Sequence, residues 1–111
     1  MTNNIKKFKK HLELVKVSIK GGDVSFDDQL QVTGTIIVKI FRPIMERIYK
    51  LGGDKEKLDD ICNRVDIVYD NRETMTHKQL NDATINIIDF LLNIFKGIKT
   101  KGDNYRKTKK L

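Results

Sequence analysis

Apolar residues near the start of the chain recur at alternating spacings of three and four. Such spacing places them on one narrow stripe of an α-helix. The stripe comprises Ile5, Phe8, Leu12, Val15 and Ile19. A β-hairpin over residues 12–26 is the alternative, because Val15, Val17 and Ile19 also alternate and the following "KGGD" is typical of a turn. The pattern favours the helix and leaves the hairpin open.

A second amphipathic segment follows "GGDVSFDD", in which two glycines end one element and Asp23 or Ser25 caps the next. The predicted helix begins near Phe26 and ends before Gly52. Pro43 lacks a backbone N–H, so we expect a kink or a break near it, followed by a shorter helix to about Leu51. The apolar stripe comprises Leu30, Ile37, Phe41, Ile44, Ile48 and Leu51, widened by Ile36, Ile40 and Met45.

Two further helices are indicated by capping residues. Asp54 predicts the start of a helix that runs to about Asn71, and Thr76 with Gln79 forms a capping box before the last helix. The apolar stripe of the third helix comprises Leu58, Ile61, Val65 and Val68, and that of the last comprises Leu80, Ala83, Ile87, Leu91, Ile94 and Ile98.

Short connections between successive amphipathic helices favour antiparallel neighbours. The sequence therefore predicts an all-α fold, a small bundle of three to four helices. We expect one helical domain over residues 1–98 and a basic C-terminal tail over residues 99–111.

The basic residues are concentrated at the two ends of the chain. The net charge of +7 divides into +5 for residues 1–20, −4 for residues 21–95 and +6 for residues 96–111. Any contact with a polyanion is therefore expected at the termini. The residues assigned to it are Lys6, Lys7, Lys9, Lys10, Lys99, Lys101, Tyr105, Arg106, Lys107, Lys109 and Lys110.

These residue types predict non-specific binding of nucleic acid or of another acidic surface. Lysine attracts phosphate diffusely, whereas bidentate recognition of bases or phosphates favours arginine, and Tyr105 offers a ring for stacking on an exposed base. The alternative for the tail is a solvated end that keeps the domain soluble.

Carboxylates along the third helix indicate a second candidate surface. Asp59, Asp60, Asp66 and Asp70 would form an acidic face on its outer side. Under this alternative the protein is an inhibitor or immunity-type protein that occludes a single protein target. Reversal of these charges, rather than of the tail, would then abolish its function.

The sequence has no recognisable catalytic, metal or cofactor signature. Cys62 is the single cysteine, and with His11 and His77 far apart in the chain no tetrahedral zinc site is expected. Neither histidine has a neighbouring group recognisable as a nucleophile–base pair. We therefore expect a non-enzymatic protein that has no cofactor and no small-molecule substrate.

Lysines interrupt the first twenty residues, and no uncharged run approaches the roughly 18 residues that suggest a membrane span. We expect a cytoplasmic protein, or one within a virion, that does not bind membranes. Ile, Lys and Asn supply 39 of the 111 residues, a bias typical of low-GC bacteria, their phages and plasmids. The hypothesis is thus a small accessory or structural component of a larger assembly, with a protein partner or a second copy of itself.

Overall fold

A computed structural model describes residues 2–97, with side chains from residue 5 to residue 96. The predicted all-α fold is confirmed, because this range is helical apart from short connections and contains no β-strand. The hairpin alternative is excluded, since the first helix continues through Lys20. The helices are α1 Thr2–Lys20, α2 Phe26–Thr35, α3 Arg42–Lys50, α4 Lys55–Asn71 and α5 His77–Gly97, with a 3₁₀ turn at Arg72–Thr74.

A π-helical segment, Ile36–Phe41, joins α2 to α3, so that residues 26–50 form one continuous rod. The N–H of Arg42 donates to the carbonyl of Ile37, five residues earlier, as π-helical geometry requires. Pro43 follows directly. In an α-helix its ring would clash with the carbonyl four residues earlier, and the wider π turn lies where that clash would occur. The irregularity predicted near Pro43 is therefore a π segment within an unbroken helix.

Side-chain caps define three helix starts, as the sequence predicts. Ser25 caps α2, and the carboxylate of Asp54 accepts two backbone N–H groups in the first turn of α4. Before α5, Gln79 N–H donates to Thr76 Oγ1 at 3.1 Å while Thr76 N–H donates to Gln79 Oε1 at 3.0 Å. These bonds satisfy backbone donors that have no partner within the helix.

One apolar core extends through all of these helices. The predicted stripes supply most of it, although Leu51 is 81% exposed because α3 ends one residue before it. Its buried members are Leu12, Ile19, Ile36, Ile37, Ile40, Phe41, Met45, Leu58, Val65, Ile87, Ile88, Leu91 and Phe95.

Three polar side chains are fully buried within this core: Gln29, Thr33 and Thr84. They form a ladder from α2 to α5. Gln29 Nε2 donates to Thr33 Oγ1 at 3.2 Å, and the two threonine hydroxyls lie 2.6 Å apart. Thr84 donates its hydroxyl proton to the carbonyl of Leu80, so Thr33 must be the donor to Thr84.

α5 is the central element of the bundle, since it packs against α1, α2 and α4, while α3 packs against α4. The molecule measures 51 × 32 × 18 Å. Its thinnest dimension accommodates two layers of helices at ordinary packing distances of about 8–10 Å. α1 and α4 therefore each keep a broad outward face.

Candidate polyanion-binding end

The four lysines assigned to the N-terminal contact, Lys6, Lys7, Lys9 and Lys10, are all exposed on α1. They are exposed because the opposite stripe of the helix, with Phe8 half-buried and Leu12 fully buried, packs against the core. A lysine ammonium on a helix surface stays hydrated and its stem flexible. These lysines therefore form a dense cationic surface along the first turns of α1.

The C-terminal half of α5 lies beside these same turns of α1. Lys16 forms an ion pair with Asp89, and Lys9 and Lys96 line one cleft. Lys9 precedes Lys16 on α1, whereas its cleft neighbour Lys96 follows Asp89 on α5. The two helices run antiparallel, and the start of α1 meets the end of α5.

The cleft between α1 and α5 has a volume of about 380 Å³. Its lining residues are Lys9, Glu13, Lys16, Asp89, Leu92, Asn93 and Lys96. Asp89 is engaged by Lys16, whereas Lys9 and Lys96 form no ion pair within the part of the chain that the structure describes. Two ammonium groups and the Asn93 amide are therefore available to an anion, with Glu13 the opposing charge.

Of the polar cleft residues, Lys9 was assigned from the sequence and Lys96 was counted in the basic C-terminal run, whereas Asn93 was not a candidate. Lys96 precedes the tail, and Asn93 lies one helical turn before it on the same side of α5. The antiparallel pairing of α1 with α5 was the missing information, because the two helices are far apart in the sequence.

The seven remaining candidates of the basic end lie outside the described residues: Lys99, Lys101, Tyr105, Arg106, Lys107, Lys109 and Lys110. Their segment is bonded to Gly97, the last residue of α5. α5 itself ends on the side of the bundle where the α1 lysines are displayed. Their part in binding stays a prediction.

The carboxylates of the predicted acidic face are exposed on α4, but three of the four already have partners in the protein. Asp59 accepts a hydrogen bond from the Tyr49 hydroxyl. Asp60 pairs with Arg64 one turn later at 3.1 Å, and Asp66 pairs with Arg42 of α3 at 3.6 Å. Both ion pairs are exposed and therefore weak, so these carboxylates remain accessible to a basic partner.

The α3–α4 contact perturbs one titratable group. The hydrogen bond from Tyr49 to Asp59, followed by desolvation and the nearby Cys62 thiol, raises the pKa of Tyr49 above its ordinary value of 10.0. Cys62 is half-buried, with its sulfur 3.9 Å from the Tyr49 oxygen. This arrangement stabilises the neutral phenol of Tyr49.

The two histidines lie in unrelated places. His11 is exposed on α1, and the ring of His77 packs edge-on against Phe26 with centroids 5.8 Å apart. Within residues 2–97 no group of three or more His, Cys, Asp or Glu side chains is placed to hold a metal ion. None of the helices described there combines the length and the apolar character needed to cross a bilayer.

The fold and this surface define a small all-α bundle with a cationic end. Comparison of the chain with protein-family models, with curated proteins and with solved structures gives no match. The functional proposal therefore depends on the geometry and charge of this molecule alone.

Proposed function

We propose that the protein is a non-enzymatic accessory or structural component that contacts nucleic acid through its basic end, without sequence specificity. The basic end comprises the exposed lysines of α1, the α1–α5 cleft and the basic tail. The observation that carries the proposal is that Lys9 of α1 and Lys96 of α5 line the same cleft.

The charge of two segments adds only when they are close together. Lys9 and Lys96 line one cleft, and salt screens charges fully only beyond about 8–10 Å at moderate ionic strength, so the attraction of neighbouring ammonium groups for a phosphate adds. The antiparallel packing of α1 on α5 supports a combined contact, because it places Lys9 of α1 and Lys96 of α5 on one cleft. A backbone-following polyanion then meets several lysines in succession.

The composition of the end favours binding without base recognition. Lysine supplies a hydrated point charge, and each phosphate it neutralises releases counterions regardless of sequence. Reading of bases needs a helix that presents polar side chains into a groove. The α1 surface instead offers ammonium groups at the tips of flexible stems.

A pair of matched variants tests the location of the contact. Lys9→Gln with Lys96→Gln removes two charges from the cleft, whereas Lys39→Gln with Lys78→Gln removes two exposed charges elsewhere. Lys78 is in the first turn of α5, roughly 27 Å along the helix from Lys96. Both variants carry the same net charge.

Affinity for a labelled random duplex is measured by fluorescence anisotropy across a salt series. We expect the cleft variant to bind more weakly, with a log–log salt slope shallower by roughly 0.9 per lost phosphate contact, and the control to resemble the intact protein. Equal losses in both variants would show that binding follows net charge only, and would overturn the assignment to this end.

A further inference from the structure

Exposed apolar side chains occur on the outward faces of α1 and α4. The described part of the chain has five large apolar side chains that are exposed, and three of them lie on these faces. Leu14 and Val17 of α1 are 59% and 69% exposed, and Ile67 of α4 is 61% exposed. Exposed apolar groups that recur on one face are typical of a contact surface.

The outward face of α1 carries a second regular stripe, which we call the basic stripe. Lys7, Lys10, Leu14 and Val17 follow one another at spacings of three, four and three, so they lie along one line of the helix. The stripe is cationic in its first half and apolar in its second. It is opposite the side that carries Leu12 into the core.

The outward face of α4 carries a stripe of the opposite charge, the acidic stripe. It comprises Glu56, Asp60, Asn63, Ile67 and Asp70, again at alternating spacings of four and three. All five are exposed, and they lie opposite the side on which Leu58 and Val65 are buried. Among the residues that the structure describes, Asp60 pairs only with Arg64 of the same helix, and an exposed pair of this kind contributes little stability.

We infer that the basic stripe of one copy binds the acidic stripe of a second copy. Both stripes have the three–four spacing of helices that pack side by side. In either direction of pairing, Ile67 can pack between Leu14 and Val17 while the lysines meet carboxylates. Asp60 then lies level with a point between Lys7 and Lys10 in the parallel arrangement, and Asp70 lies level with a point between Lys10 and Leu14 in the antiparallel one.

Charge selects this pairing over the other contacts between two copies. Two basic stripes would oppose lysines, and two acidic stripes would oppose carboxylates, each of which is unfavourable. Within one molecule the stripes cannot meet, because α1 and α4 pack on different sides of α5. Leu92 and Lys96 line the α1 side, whereas Ala83 and Phe90 line the α4 side.

Because the two surfaces differ, the contact is heterologous and permits growth beyond a dimer. Such self-association suits an assembly component. Lys7 and Lys10 belong also to the proposed nucleic-acid contact, so the two kinds of binding compete for them, but self-association does not require nucleic acid. The experiment therefore uses nuclease-treated protein with no nucleic acid present. Absence of self-association would leave the nucleic-acid proposal unaffected. Absence of nucleic-acid binding would likewise leave the self-association proposal unaffected.

Two charge-reversal variants make the test. The first is Lys7→Glu with Lys10→Glu, which leaves both stripes acidic, and the second is Asp60→Lys with Asp70→Lys, which leaves both basic. Lys39→Glu with Lys78→Glu is the control for net charge, since neither residue belongs to a stripe. All the residues changed are exposed, and helical content is checked by circular dichroism.

Molar mass is measured by sedimentation equilibrium at low and high salt. We expect the intact protein and the control to associate at low salt and to dissociate as salt rises. Each stripe variant alone is monomeric, and an equimolar mixture of the two associates again because opposite charges then face each other. A monomeric intact protein at low salt, or a mixture that stays monomeric, would overturn the inference.

Discussion

The ammonium group of Lys16 contacts the carboxylate of Asp89 across the α1–α5 interface. Lys9 lies seven residues before Lys16 on α1, and Lys96 lies seven residues after Asp89 on α5. Lys9 and Lys96 line one cleft. The ion pair is partly exposed, so it contributes little to stability. Together with the cleft it identifies the direction of packing, in which the start of α1 lies beside the end of α5.

The buried polar ladder contains a position, Thr33, where loss of a single hydroxyl should lower the free energy of unfolding. Thr33→Val removes the central member, which accepts from Gln29 and donates to Thr84. We expect the free energy of unfolding to fall by about 1–3 kcal/mol, because a buried donor loses its acceptor. Urea unfolding followed by circular dichroism measures the change. Thr35→Val, at an exposed position of the same helix, is the control and should shift it by less than about 0.5 kcal/mol.

Two glycines predict opposite effects of the same substitution. A Cβ at Gly34 would lie 3.7–3.9 Å from atoms of Arg72 and Tyr69, which is ordinary contact within a helix. Gly34→Ala should therefore stabilise the protein by about 0.5–1 kcal/mol.

At Gly53 the added Cβ would lie 2.9 Å from methyl groups of Ile48 and Leu58. Gly53→Ala should destabilise the protein by about 1–3 kcal/mol, as overpacking does. Urea midpoints with unchanged slopes measure both effects. The same sign for both variants would contradict the packing described at the α3–α4 connection.

The phenol of Tyr49 predicts a pH dependence. Its pKa is raised in the folded protein above the ordinary value of 10.0, mainly by the hydrogen bond to Asp59. Its contribution to stability is therefore fully present below pH 10 and is lost as the pH rises through the folded-state pKa. The tyrosinate absorbance of the intact protein minus that of Tyr49→Phe isolates this group. It should titrate above pH 10 when folded, near pH 10 in urea, and at a lower pH in folded Asp59→Asn than in the folded intact protein. Titration near pH 10 in the folded intact protein would contradict this hydrogen bond.

Local signals in the sequence predicted the helix boundaries well. The capping box of Thr76 and Gln79 and the cap at Asp54 act within one turn, so nearby residues determine them. The three–four spacing likewise identified Leu12 and Val65 as core residues, because packing of a helix depends on one face.

Features that depend on distant segments were not predicted. Thr33 and Thr84 are buried although their type favours exposure, since each satisfies the other across α2 and α5. Pro43 suggested a kink or a break, but the π segment before it keeps the rod continuous. Asn93 became part of the candidate site only through the pairing of α5 with α1.

The sequence identified the basic residues of this end but not their arrangement in space. Lys6 and Lys10 were assigned from their density in the sequence, and the structure confirms that they are exposed. The sequence left open whether the two basic segments share one end, because no local signal specifies how α1 packs on α5. The tail itself stays a prediction.

The central claim is that the basic end binds nucleic acid. Truncation of the tail tests this claim most directly. Fluorescence anisotropy of a labelled random duplex and a labelled single strand is measured with the intact protein and with a version that ends at Ile98, across several salt concentrations. We predict weaker binding on truncation, with a log–log salt slope shallower by roughly 0.9 per lost duplex contact or roughly 0.7 on single strands. An intact protein that binds neither strand form at low salt, or a truncation that changes neither affinity nor slope, would contradict the account.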